Sequence, residues 1–355
     1  MRRTSCLPLL FALCIACAAT DDEDASGGSS TTAETDASTS SATTPGDGDG
    51  DADGGNTTSG TSTTSGDGDT TTPGETSVGT DDDGDDSTGE GGELRPGPDF
   101  RVTGPHTVQS QNGQYAIKPG CNMQYTRFLP DGVAPGGTVI LAHGFQGNRG
   151  SMAGWAQHIA SWGLEVVTPD LCHATAMDSN HAQNGVDLIA LRQHLSIDEV
   201  VYAGYSAGGL AAFLATSNDT AATAVLGLDM VDNSNLGVGA AANVSVPAHN
   251  VVAEPAMCNS SANGVAVFNA AAQGRVVRVT EADHCDFQNP GDFFCGFCSA
   301  PNPNFDTAAI KATIIGLSTG FLLWQTQADL TGQQWWFDGG HWFETLASDG
   351  IVTGL

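Results

Sequence analysis

Apolar positions divide the chain into three stretches. Leu7 to Ala16 is a short apolar segment behind Met1-Arg2-Arg3, residues 18–94 show no hydrophobic periodicity, and from about residue 99 short apolar runs alternate with helical patterns. In that last stretch Thr138-Val139-Ile140-Leu141-Ala142 predicts a buried strand. Leu164 to Thr168, Glu199 to Ala203, Thr223 to Leu228, Asn250 to Ala253 and Arg275 to Thr280 predict further ones. Ser151 to Trp162, His181 to Leu195 and the small-residue segment Ala207 to Thr216 predict helices, and Thr307 to Gln325 a long apolar one. Such alternation predicts an α/β fold with a mostly parallel central sheet flanked by helices. No uninterrupted apolar run reaches the roughly 18 residues that a membrane-spanning helix needs.

The first stretch has the form of a secretory signal: a basic start, an apolar segment too short to span, and the small residues Ala16, Ala18 and Ala19. Ile15-Ala16-Cys17 resembles a bacterial lipobox with Cys17 as the acylated residue, although Cys14 stands where Leu is usual. The expected organisation is a signal peptide over 1–17, an acidic Ser/Thr/Gly/Asp-rich linker over 18–98, and a folded domain over 99–355. The protein is then exported, and either secreted or anchored at the outer surface through Cys17. No aromatic occurs between Phe11 and Phe100. A segment so poor in apolar side chains cannot offset its ordering entropy and is expected to stay disordered. A flexible linker of this length has an r.m.s. reach of about 50 Å. The acidic runs at 47–50 and 81–86 lack the closing Glu of a calcium loop and read as solvated spacer.

Charge sharpens this division. The formal net charge is −30, from 11 Lys+Arg and 41 Asp+Glu. Residues 1–94 hold 20 of the acids and two of the basic residues, so the remainder of the chain carries only −12. The acidity argues against a nucleic-acid partner, which wants a basic face. It argues equally against lying on an anionic membrane. Membrane contact is expected only through a lipid on Cys17.

The chemistry concentrates on one pentapeptide. Gly204-Tyr205-Ser206-Ala207-Gly208 lies between a predicted strand and a predicted helix. That is the setting of a Gly-x-Ser-x-Gly nucleophile elbow, where the glycines permit a turn tight enough to present the Ser206 hydroxyl. His143-Gly144-Phe145 follows the strand ending at Ala142. The amides of Phe145 and Ala207 are the expected donors to an oxyanion, with His143 orienting the loop. The base is expected late in the chain, and Thr280-Glu281-Ala282-Asp283-His284-Cys285-Asp286-Phe287 makes His284 that base. Three acids are suitably placed: Asp229 and Glu254 at strand ends, and Asp232 three residues beyond Asp229. The pairs His173/His181 and His341/Glu344 lack His-Glu-x-x-His spacing and read as surface residues rather than metal ligands. No cofactor and no metal are expected.

Together these segments resemble one branch of a known superfamily. His143-Gly144-Phe145, Gly204-x-Ser206-x-Gly208-Gly209, Leu228-Asp229-x-Val231-Asp232 and His284-x-Asp286 look like the chlorophyllase-like branch of the α/β-hydrolases. Bacterial polyester hydrolases and platelet-activating-factor acetylhydrolases are more distant relatives. The likeness runs from about Thr138 to Gln325. It implies the α/β-hydrolase fold, serine esterase chemistry, and Asp229 as the acid. Tyr205 and Ala207 stand where chlorophyllases carry His and Arg, and Met230 replaces a Pro. The resemblance therefore implies the scaffold and ester chemistry, not chlorophyll as substrate.

Six cysteines fall in the folded part: Cys121, Cys172, Cys258, Cys285, Cys295 and Cys298. An even count in an exported chain implies up to three disulfides. Cys295-x-x-Cys298 reads as structural rather than as a redox pair or half a zinc site. A bridge at Cys285 would pin the loop of His284. The aromatic cluster Trp335-Trp336-Phe337 and Trp342-Phe343 reads as packing of the tail, with a substrate groove as the alternative. The sequence thus leads to an exported carboxylic-ester hydrolase that acts through an acyl-enzyme on Ser206. Its alternatives are a polyester or cutin-like depolymerase or lipase, and, from another class, a tethered binding protein on an inactive hydrolase scaffold.

Overall fold

The computed structural model describes residues 96–291, 298 and 302–355. The signal segment, Cys17, the linker as far as residue 95, and Cys295 lie outside the described residues. Gly97, read as linker, is already fastened to the fold: its amide donates to Gln334 Oε1 at 3.2 Å and its carbonyl accepts Trp342 Nε1 at 3.0 Å.

Among the described residues nine strands form one sheet. They are β1 (Val108–Lys118), β2 (Cys121–Pro130), β3 (Thr138–Ala142), β4 (Glu165–Pro169), β5 (Val200–Tyr205), β6 (Ala222–Leu228), β7 (Pro247–Val252), β8 (Gln273–Val279) and β9 (Val352–Gly354). Their order is β1-β2-β4-β3-β5-β6-β7-β8-β9. The centre from β4 to β8 is parallel throughout, whereas β1, β2 and β9 pair antiparallel. Among the described residues seven helices connect and cover the strands: α1 (Ala153–Ser161), α2 (His181–His194), α3 (Ala207–Thr216), α4 (Leu236–Ala240), α5 (Gly264–Ala270), α6 (Thr307–Gln325) and α7 (His341–Ser348). The protein is thus of α/β type, with a mostly parallel sheet.

Strands β3, β5 and β6 are almost entirely apolar because both faces are covered. Val139, Leu141, Val201 and Ala203 face a core shared with α1, α6 and the C-terminal aromatics. Ile140, Ala142, Val200 and Tyr202 face the opposite core, shared with α2, α3 and α5. Alternate residues of one strand therefore feed different layers.

Helix α6 has a mean hydropathy of 1.4 over 18 residues, enough by length and composition to cross a membrane. Counting uninterrupted apolar residues overlooked it, because Thr, Ser and Gly interrupt the run. In this fold most of that window is buried, and Ile310, Ile314, Leu317 and Phe321 belong to the core. Gly316 and Gly320 lie against the Trp335 ring. Trp335 and Trp336 are fully buried, and Trp336 Nε1 donates to Leu317 O at 2.8 Å. The aromatic tail is packing at these positions, not a groove.

Candidate active site

The chain runs β3 to β4 on one side of β3, then crosses to β5 on the other. Between β3 and β5 the strand order therefore reverses, and the crevice outside their carboxyl ends is where open α/β sheets bind ligands. The His143–Phe145 loop follows β3, and Ser206 follows β5.

Ser206 has φ 53° and ψ −124°, in the left-handed half of backbone space, which costs on the order of 1–3 kcal/mol for a residue with a Cβ. Its surroundings impose that conformation. Its amide donates to Leu228 O at 3.0 Å, and its carbonyl accepts the amides of Gly209 at 3.0 Å and Leu210 at 3.3 Å. The flanking glycines are explained by close approach rather than by their own φ. A Cβ on Gly204 would overlap the carbonyl of Gly208, and one on Gly208 would overlap the carbonyl of His143.

His284 sits in a 3-10 turn, His284–Phe287, beyond β8. Its Nε2 lies 3.0 Å from Ser206 Oγ and its Nδ1 lies 2.6 Å from Asp229 Oδ2. A carboxylate on Nδ1 fixes the proton there and leaves Nε2 to accept from the serine hydroxyl. All three side chains are buried: Ser206 is 8% exposed, His284 6% and Asp229 0%. The turn is locked by a reciprocal cap. The Asp283 carboxylate accepts the amides of Cys285 and Asp286, and Asp286 Oδ2 accepts the Asp283 amide. The Tyr205 ring lies 4.8 Å from the His284 ring, centroid to centroid. Burial raises the Asp286 carboxyl above its ordinary value, against the opposing pull of the Asp283 amide and Lys311.

Of the three candidate acids, the structure brings only Asp229 to His284. Asp229 has φ 45°, and its Oδ1 accepts Ala253 N at 3.1 Å. Asp232 turns away: its carboxylate accepts the amides of Gly237 at 2.8 Å and Val238 at 3.3 Å in the first turn of α4. Glu254 faces solvent, with Oε1 accepting Glu281 N at 3.3 Å and Oε2 lying 3.7 Å from Arg278 Nε. Asn259 is not among the residues that the sequence marks, yet its side-chain amide reaches both oxygens of Asp229. It carries no motif, and its sole signal is a neighbouring cysteine.

The amide of Phe145 and that of Ala207, the first residue of α3, have no hydrogen-bond partner among the described residues. The first amides of a helix carry its positive dipole end, which suits an anion. The Phe145 ring is 40% exposed. The loop beneath it is held from the segment after β4. Leu171 N donates to His143 Nε2 at 2.9 Å, and Gln146 N donates to Ala174 O at 2.7 Å. Since Nε2 accepts, the proton of His143 is on Nδ1, which donates to Gly144 O at 2.7 Å. Burial pushes His143 below the ordinary histidine range and keeps it neutral.

The other histidines lie apart from this chain of bonds. His158 bonds Phe100 O, His194 stacks on Tyr115, and His249 is buried among Phe321, Trp324 and Trp336. His173 pairs with Asp178 at 2.7 Å, and Glu344 accepts the amide of Gly339. His181, expected at the surface, is 7% exposed and anchors the start of α2 from inside. A groove of about 660 Å³ lies elsewhere, between Pro105, His158 and Asn289, and includes none of the three residues above.

Two disulfides join Cys121 to Cys172 and Cys258 to Cys298. The second rules out a redox pair between Cys295 and Cys298. Cys285 is disulfide-bonded as well. Cys121, Cys172 and Asp187 bring ligand-type atoms together, but those sulfurs are bonded to each other.

The chain matches no protein-family model. No curated protein matches it either.

Proposed function

We propose that this protein is an exported serine carboxylic-ester hydrolase with the α/β-hydrolase fold, similar to the chlorophyllase-like and bacterial polyester hydrolase branch. The observation that carries the reading is the hydrogen-bonded series Ser206–His284–Asp229, with its serine on a strained strand-to-helix turn. The reversal of strand order beside that turn supports it further. Export draws on the basic and apolar start of the chain, and the disulfides agree with an oxidising compartment.

In this mechanism His284 Nε2 takes the proton of Ser206 as Oγ attacks the ester carbonyl. The amides of Phe145 and Ala207 hold the oxyanion, each worth about 3–4 kcal/mol in the transition state. His284 then gives its proton to the departing alcohol. Water, activated by the same imidazole, hydrolyses the acyl-enzyme, while Asp229 stabilises the imidazolium formed in each half-reaction.

The test is hydrolysis of short- and medium-chain p-nitrophenyl esters by the full chain and by its Ser206→Ala variant. The reading expects turnover by the first and loss of at least about 1,000-fold in the second. Equal rates would refute it and leave the binding protein on an inactive scaffold. Product release from a polyester film, compared with these soluble esters, separates a depolymerase from a small-ester esterase.

A further inference from the structure

We propose that Asn259 is a positioning residue that sets the orientation and the charge of Asp229. The proposal rests on the hydrolase reading of Ser206 and His284 and deepens it.

Asn259 is fully buried, and every polar atom of its side chain has a partner. Oδ1 accepts the amides of Ala256 at 2.8 Å and Ala262 at 3.0 Å. Those two donors fix which end of the side chain is oxygen, so the NH2 group necessarily faces the acid. Nδ2 lies 3.1 Å from Asp229 Oδ2, 3.4 Å from Asp229 Oδ1 and 2.9 Å from Glu254 O. The shorter carboxylate contact is to the very oxygen that accepts His284 Nδ1.

This placement has two consequences for the imidazole. Together with Ala253 N, the amide stops rotation of a carboxylate whose backbone is itself strained at φ 45°. It also draws negative charge from Oδ2, which tempers how strongly Asp229 stabilises a protonated His284. Asn259 is fixed in turn by the Cys258–Cys298 disulfide next to it. The Glu254 backbone that it bonds donates to Ala282 O at 3.0 Å, two residues before His284. The turns carrying acid and base are therefore joined through Asn259.

Asn259→Leu in the full chain removes the donor. It keeps the approximate shape, leaves Asp229 without the NH2, and places no second acid there to share a proton with it. We expect kcat near neutral pH to fall about tenfold with KM unchanged, and the acid limb of the kcat/KM profile to move up by about one pH unit. NMR titration of the His284 ring in the same variant moves the same way. An acid limb and a ring titration that both superimpose on the parent, with only the melting temperature lowered, would overturn the proposal. A measurement on the unaltered protein covers a variant that does not fold. The Asn259 side-chain amide signals must shift as the His284 ring titrates, and signals indifferent to that titration overturn the proposal equally. Both NMR readouts are independent of turnover. A chain that hydrolyses no ester therefore sinks the hydrolase reading without deciding this one.

Discussion

The carbonyl oxygen of Ser206 accepts the amide of Val231 at 3.3 Å, while the Ser206 amide donates to Leu228. The Ser206 backbone is thus bracketed by the two residues that flank Asp229 at distances of one and two. Ser206 and Asp229 both have positive φ, 53° and 45°. Two strained turns at the ends of adjacent strands hold each other, so neither relaxes without loss of the other's hydrogen bonds.

The acid assignment separates three carboxylates by kinetics. Asp229→Asn is expected to lower kcat on the order of 10,000-fold, because the imidazole loses both its tautomer and its counter-charge. Glu254→Gln, on a side chain that faces solvent, leaves kcat unchanged. Asp232→Ala costs about 1 kcal/mol of stability through the first amides of α4, again without a change in kcat. Steady-state kinetics and thermal melts of the three variants check the set.

Gly208→Ala is expected to destabilise by about 3 kcal/mol or more, since the added carbon meets backbone oxygens that cannot move aside, with Ala142 O at 2.7 Å. Gly239→Ala within α4 is the control. Nothing lies within 4 Å of its added carbon, and a stabilisation of about 0.5–1 kcal/mol is expected. Urea denaturation midpoints read both.

Acid should weaken the fold from below about pH 6.5. Burial lowers His143, His158, His181 and His249, the last to about 3. Below about pH 6.5 the unfolded chain binds protons at these positions while the folded chain resists. Stability therefore falls as pH drops, by about 1.4 kcal/mol per pH unit for one fully resisting group. For His249 the window runs from about 6.5 down to about 3. Asp286 acts in the opposite sense, because its folded carboxyl binds a proton more readily than the unfolded one. His249→Phe, which suits the surrounding rings, should flatten the plot of melting temperature against pH over that window. An unchanged slope would contradict the account.

Replacing Cys121 and Cys172 together by Ser opens a loop of 51 residues. Loop-closure entropy then predicts a loss of about 4 kcal/mol. Differential scanning calorimetry of the double variant measures it.

The central strands are legible in the sequence because a strand covered on both faces needs no polar alternation. Thr138–Ala142, Ala207–Thr216 and Thr307–Gln325 have the bounds that their patterns predict. The hairpin of β1 and β2 escapes detection because β1 is a largely exposed edge strand, with Gln109, Gln111 and Gln114 along it. Helices α4 and α5 are short and rich in Gly and Ala, and β9 has three residues. At the site, Ser206 and His284 are found from a pentapeptide and a position in the chain. The choice among acids lies in the direction a turn takes. Asp229 at φ 45° points back across the strand ends, whereas Asp232, three residues on, bonds α4. Asn259 meets its carboxylate across 30 residues with no motif to announce it.

The cysteines sit beside the loops that carry His143, Asn259 and His284. Cys172 follows Leu171, which holds His143; Cys258 precedes Asn259, which holds Asp229; Cys285 follows His284 itself. Each of these half-cystines is crosslinked. Segments next to a reaction centre tend to be among the first to open locally. Here an opened loop stays stapled at its root. Covalent reinforcement thus falls beside the loops of His143, Asn259 and His284, so that how far these groups separate on local opening is limited by sulfur bonds and not by packing alone.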